Sequence, residues 1–84
     1  MEKFISSHDY LLFLSLLRGT RRTAELTQEQ VAACLGQTQS FVSKCERGER
    51  RIDVIELRAF CQAIGISLDD FIQQLEDVLR QGKS

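Results

Sequence analysis

Leu26-Thr27-Gln28-Glu29-Gln30-Val31-Ala32-Ala33-Cys34-Leu35-Gly36-Gln37-Thr38-Gln39-Ser40-Phe41-Val42-Ser43-Lys44-Cys45-Glu46-Arg47-Gly48 is the stretch on which the fold turns. Thr27 can cap a helix with its hydroxyl, Gln30 stands three residues on to return the bond, and Leu26 and Val31 flank the pair. The spacing predicts a helix over about 28–35, with Gly36 as the residue that can take positive φ beyond its end. Thr38 can cap a second helix over about 39–46, closed before Gly48.

The second helix divides into two faces at about 100° per residue. Thr38, Phe41, Val42 and Cys45 fall on one side and should pack inward. Ser40, Ser43, Lys44 and Arg47 fall on the other, with Gln39 at its margin. That outer face offers amide, hydroxyl and cationic groups, with neither an aliphatic side chain nor a carboxylate. A solvated face usually mixes Glu and Lys, whereas a groove-reading face wants Gln for adenine, Lys for guanine and hydroxyls for base or phosphate. Two short helices across a glycine turn form the helix-turn-helix pattern, whose second helix enters the DNA major groove.

Leu26-Thr27-Gln28-Glu29-Gln30-Val31-Ala32, Leu35-Gly36, Gln39-Ser40-Phe41-Val42-Ser43-Lys44 and Glu46-Arg47-Gly48-Glu49-Arg50 resemble the Cro/repressor-type helix-turn-helix family, the XRE-like group. Leu17-Arg18 and Arg21 match its first helix, so the resemblance runs from Tyr10 to Leu75. One departure is Cys45, where the family usually carries a larger aliphatic residue. The resemblance implies an all-α, five-helix lambda-repressor-like DNA-binding domain with a central helix-turn-helix. It implies that Thr38, Gln39, Ser40, Ser43 and Lys44 face the groove and read bases. Arg21, Arg47, Arg50 and Arg51 become candidates for phosphate contacts, with Glu25, Glu46 and Glu49 as competing partners for their charges. Gln28, at the start of its helix, can donate to a phosphate and brace Gln39.

The 84 residues fit one domain over 1–84 with a single small core. With 43% hydrophobic residues and no proline, the chain favours uninterrupted helices. It holds no apolar run of the roughly 18 residues a membrane span needs. The stretch Met1-Glu2-Lys3-Phe4-Ile5 has no small-residue cleavage site and makes no persuasive signal peptide. Cys34, Cys45 and Cys61 are odd in number and widely spaced, which suits neither a zinc site nor a disulfide framework; reduced thiols in the cytoplasm are expected. The net charge of −1 argues against a general nucleic-acid coat protein but not against a DNA reader, because distribution matters more than total. Eight basic and six acidic residues lie between Arg18 and Arg58, whereas four acids face two bases from Ala59 onward.

Elsewhere the capping device recurs. Ser6 as cap, Asp9 three residues later, and Ile5 with Tyr10 as the apolar pair predict a first helix over about 7–24. Tyr10, Phe13, Leu14 and Leu17 form its core stripe, and Leu12 and Leu16 widen that face. Asp53 and Glu56 open a helix over about 54–64 that buries Leu57, Phe60, Cys61 and Ile64 before Gly65. Ser67 and Asp70 open the last, over about 68–80, ahead of a frayed end at Gln81-Gly82-Lys83-Ser84.

There is no Gly-rich phosphate loop, no paired-carboxylate cleft and no Ser/His/Asp arrangement. With one His, the chain points away from an enzyme, a metal site or a cofactor. The function expected is a sequence-specific DNA-binding regulator, a small repressor-like protein acting on a double-stranded operator as a homodimer. Small members of the resembled family serve as phage-type repressors, restriction–modification controllers and antitoxins. Phe71, Ile72, Leu75, Val78 and Leu79 exceed what a small core can absorb and are the expected dimer interface; the alternatives are that all five face the chain's own core, or that Leu12 and Leu16 of the first helix form the contact. The alternative is a protein-interaction module or antitoxin of the same fold, working through a protein partner or effector. Carboxylates or an aliphatic patch on the outer face of the third helix would favour it.

Overall fold

Side-chain caps set where the helices begin. A computed structural model describes residues 7–82 and contains α1 (Ser7–Thr23), α2 (Gln28–Leu35), α3 (Gln39–Glu46), α4 (Val54–Ile64) and α5 (Leu68–Gly82). Thr27 Oγ1 accepts from the Gln30 N–H at 3.1 Å, and Gln30 Oε1 accepts from the Thr27 N–H at 2.8 Å. Asp53 and Glu56 exchange the same pair of bonds at 2.7 and 3.0 Å. Thr38 accepts from the Phe41 N–H, and Ser67 from the Asp70 N–H, both at 3.1 Å. Each bond satisfies an amide that the first helical turn would leave without a partner. Ser6 and Ile5, the cap and apolar partner expected for α1, lie outside the described residues, as do Lys83 and Ser84. Gln81 and Gly82 belong to α5 rather than to a frayed end.

One wrap ends α1, α2 and α3. An N–H beyond the helix reaches back five residues to a carbonyl of its last turn: Leu26 to Arg21 at 3.2 Å, Gln37 to Ala32 at 2.9 Å, Glu49 to Lys44 at 2.9 Å. Each wrap passes through a left-handed residue, at Glu25, Gly36 and Gly48. Glu25 is the exception in side chain, at φ +62°. A Cβ there carries a steric cost that glycine avoids, so no glycine marks this turn in the sequence.

The five helices bury one core. Leu14 and Leu17 of α1, Val31 and Ala32 of α2, Val42 and Cys45 of α3, Leu57, Phe60, Cys61 and Ile64 of α4, and Phe71 of α5 are its buried apolar residues. Phe13 meets Phe71 edge-on at 6.0 Å, and Phe41 stacks on Phe60 at 6.5 Å. Burial pushes the Cys45 and Cys61 thiols above their usual range, so both behave as small apolar groups. Leu12 and Leu16 are half-buried and line an open groove of about 580 Å³ between α1 and α5, together with Ile64, Ile66 and Val78. Phe71 corrects the expected dimer surface: it is fully buried, because α5 docks through this ring. Ile72 is exposed, and Leu75, Val78 and Leu79 are half-buried.

Two glycines respond in opposite directions. Gly19 sits inside α1 with open space where a Cβ would go. Gly19→Ala should stabilise by about 1 kcal/mol and raise the melting temperature by about 4–8 °C. Gly48 has φ +83°, and its added Cβ would stand 3.2 Å from Leu14 Cδ1. Gly48→Ala should destabilise by more than about 1 kcal/mol. Urea unfolding of the two variants checks both signs.

Candidate nucleic-acid interface

Val42 faces the core, and one helical turn later Glu46 must face it too. A carboxylate there needs partners, and α1 supplies them. Arg21 is 7% exposed and Glu46 2%. Arg21 Nε donates to Glu46 Oε2 at 2.6 Å and its terminal nitrogen to Oε1 at 2.9 Å, a two-pronged charge-assisted pair. Its remaining nitrogen donates to the Leu26 carbonyl at 2.8 Å. Arg18 donates to the Glu46 carbonyl oxygen at 3.2 Å. Burial opposes the Glu46 charge. Hydrogen bonds from Arg21 and Gln28, and the charges of Arg21 and Arg18, outweigh it and hold the carboxyl below its ordinary 4.5.

The network continues outward from this pair. Gln28, the first residue of α2, donates from Nε2 to Glu46 Oε1 at 2.9 Å. Gln39, the first residue of α3, donates from Nε2 to Gln28 Oε1 at 2.6 Å. A line of polar groups thus runs from α1 through the helix pair to an exposed amide on α3.

The outer face of α3 presents Thr38, Gln39, Ser40 and Lys44 to solvent, with Ser43 half-buried at its edge. Thr38, expected to pack inward, is instead exposed, because its hydroxyl caps α3 at the helix end. Ser43 accepts a short hydrogen bond from Arg47, whose Nε also donates to Glu49 at 2.9 Å. Arg50 forks onto Glu56 at 3.0 and 2.7 Å and lies 4.9 Å above the Phe41 ring. Arg51 lies 4.4 Å above the Tyr10 ring, and the Tyr10 hydroxyl accepts from the Ile52 N–H at 3.1 Å. Arg47, Arg50 and Arg51 are exposed and gathered at the C-terminal end of α3 and the following loop.

Two expected phosphate contacts change character. Arg21 is not one: its guanidinium is buried and shared between Glu46 and the Leu26 carbonyl. Gln28 has one amide hydrogen committed to Glu46, and its oxygen braces Gln39. Of the competing acids, Glu46 takes Arg21 and Glu49 takes Arg47. The Arg50–Glu56 pair and the part of Arg18 had no counterpart in the sequence reading. Glu46 could have been found there, because it follows Val42 by one turn on the buried stripe.

Residues 13–71 match the family model described as a helix-turn-helix domain. A protein of Sinorhizobium fredii described as an uncharacterized HTH-type transcriptional regulator, y4dJ, is 47% identical over 47 residues. That match covers 56% of this chain and 61% of the relative, less than two thirds of its length. Among solved structures, an XRE-family like protein from Pseudomonas syringae pv. tomato superposes with a TM-score of 0.83 at 45% identity. The superposition covers 89% of this chain and 92% of that one.

The buried pair makes a stability prediction. Glu46→Ala leaves the Arg21 guanidinium buried without its counter-charge and should cost about 3–5 kcal/mol in urea unfolding. The pH dependence follows from the direction of the shift. The Glu46 carboxyl is held below its unfolded value, so its contribution is complete above that value and lost as pH falls through the folded one. Unfolding free energy of the parent should fall between about pH 5 and 3, and a folded Glu46→Gln variant should lose less across the same window.

Proposed function

The chain belongs to the helix-turn-helix domain family, and on that premise we propose that it is a sequence-specific DNA-binding transcriptional regulator. In this reading it is a small, dimeric, repressor-like protein of the cytoplasm whose α3 reads the major groove of a double-stranded operator. One observation carries it: the outer face of α3 exposes amide, hydroxyl and ammonium groups with no carboxylate, while the acid of that helix, Glu46, is turned inward onto Arg21. Gln39, Ser40 and Lys44 are the foremost base readers, with Thr38 and Ser43 at the margins of the face. Arg51 is the foremost phosphate anchor; Arg47, paired with Glu49, and Arg50, forked onto Glu56, contribute less.

Selection from a random duplex pool tests the reading. Gln39→Ala should cost about 1–3 kcal/mol on the selected site and little on random DNA. Arg51→Ala should weaken both alike and lower the salt slope by about one unit. Failure to enrich any sequence would favour the protein-interaction reading.

Dimerisation through α5 supplies the second half-site. The exposed Ile72, with Leu75, Val78 and Leu79 beside it, forms the self-complementary patch that a two-fold interface requires. Recognition helices would then sit about 34 Å apart, one turn of DNA. Ile72→Asp should give a folded protein by dichroism that sediments as a monomer and binds the selected palindrome weakly. An unchanged dimer would move the interface elsewhere.

A further inference from the structure

We infer that Glu46 is a positioning residue for base recognition: through Gln28 it fixes which end of the Gln39 amide faces the groove. This rests on the reading of the α3 outer face as the base-reading surface. A glutamine amide has a donor end and an acceptor end, and an isolated one can exchange them by a half-turn. A carboxylate paired with two arginines only accepts. The Gln28 atom facing Glu46 at 2.9 Å must therefore be nitrogen, which turns Gln28 Oε1 toward α3. That oxygen also only accepts, so the Gln39 atom 2.6 Å from it must be nitrogen. The buried ion pair thus leaves Gln39 with its Oε1 and one N–H of Nε2 for the groove, in a fixed order.

That order has a base preference. Adenine offers an N6 donor and an N7 acceptor to an oxygen and an N–H side by side, whereas guanine offers two acceptors, O6 and N7. A Gln39 amide held in this order fits adenine and opposes its oxygen to guanine O6. An amide released from the relay can turn its NH2 toward guanine and lose the distinction. Orientation fixed before binding also removes an ordering cost from the complex.

The test reads a ratio, affinity for adenine over guanine at the one position where Gln39→Ala abolishes preference in selected duplexes. Loss of a phosphate contact lowers both affinities and leaves this ratio unmoved. The parent should favour adenine by about ten-fold or more. Gln28→Met, which leaves the ion pair in place, should reduce the ratio to about two-fold or less. So should Arg21→Gln combined with Glu46→Gln, which removes both buried charges and gives Gln28 a partner that can donate or accept. If the double variant fails to fold by dichroism, the single Glu46→Gln is read in its place; if that is also unfolded, Gln28→Met alone decides. A ratio that survives in the folded variants overturns the inference, as does a parent that prefers guanine there. If Gln39→Ala changes no base preference anywhere, the assignment of the reading face fails first, and the relay falls with it.

Discussion

The Arg21–Glu46 pair is the constraint on which the arrangement depends. It brings the last turn of α1 onto the last residue of α3, two segments with α2 lying between them in sequence. Alone, a carboxylate at the C-terminus of a helix opposes the helix dipole, and burying it costs more. Arg21 offsets both terms, and Arg18 adds a cation and a donor to the Glu46 carbonyl. Such a pair is weak evidence for stability in itself, since apolar residues of like volume often do as well. Its distinctive contribution here is placement, because a two-pronged bond admits few rotations of α3 about its own axis.

Placement matters because α3 is eight residues long. A helix this short is marginal in isolation and takes its stability from packing. Val42 and Cys45 anchor it from below, Phe41 stacks on Phe60 of α4, and Glu46 closes its end. Four of its residues are thus spent on the interior, and the outer face is the remainder. Changing the clamp would rotate that remainder as a unit. The orientation of the outer face is consequently set by residues that lie on the opposite side of the helix.

The fold was legible wherever the signal is local. Thr27, Thr38, Asp53 and Ser67 cap helices because the donor each one satisfies lies three residues away. Glu25 shows the limit, because its left-handed turn carries no glycine to announce it. Long-range pairs were legible by half: the periodicity places Glu46 inward, but nothing local says that Arg21, 25 residues earlier, would meet it. Arg50 had two acids within reach in sequence, Glu49 and Glu56. The capping box already holds the Glu56 side chain turned back toward Asp53, and this presents it to Arg50. Phe71 was misplaced for a different reason. An amphipathic helix advertises one apolar stripe, and sequence alone does not divide that stripe between the chain's own core and a partner.

The charge distribution connects these observations to assembly. The overall charge of −1 conceals a division of labour. Arg21 is neutralised in the core, Arg50 is forked onto Glu56, and Arg47 is held by Glu49. Arg51 rests on an aromatic face and Lys44 stands exposed on α3. Arg22, Lys44, Arg51 and Arg58 remain exposed outside these ion pairs, and the acids of α5 lie on a different element. In the proposed reading, discrimination comes from base contacts held in fixed orientation and from repeating them in a second copy. In that reading a second copy would multiply the selectivity of the first without adding charge to either, and the partly exposed stripe of α5 lies on a different element from the proposed base readers.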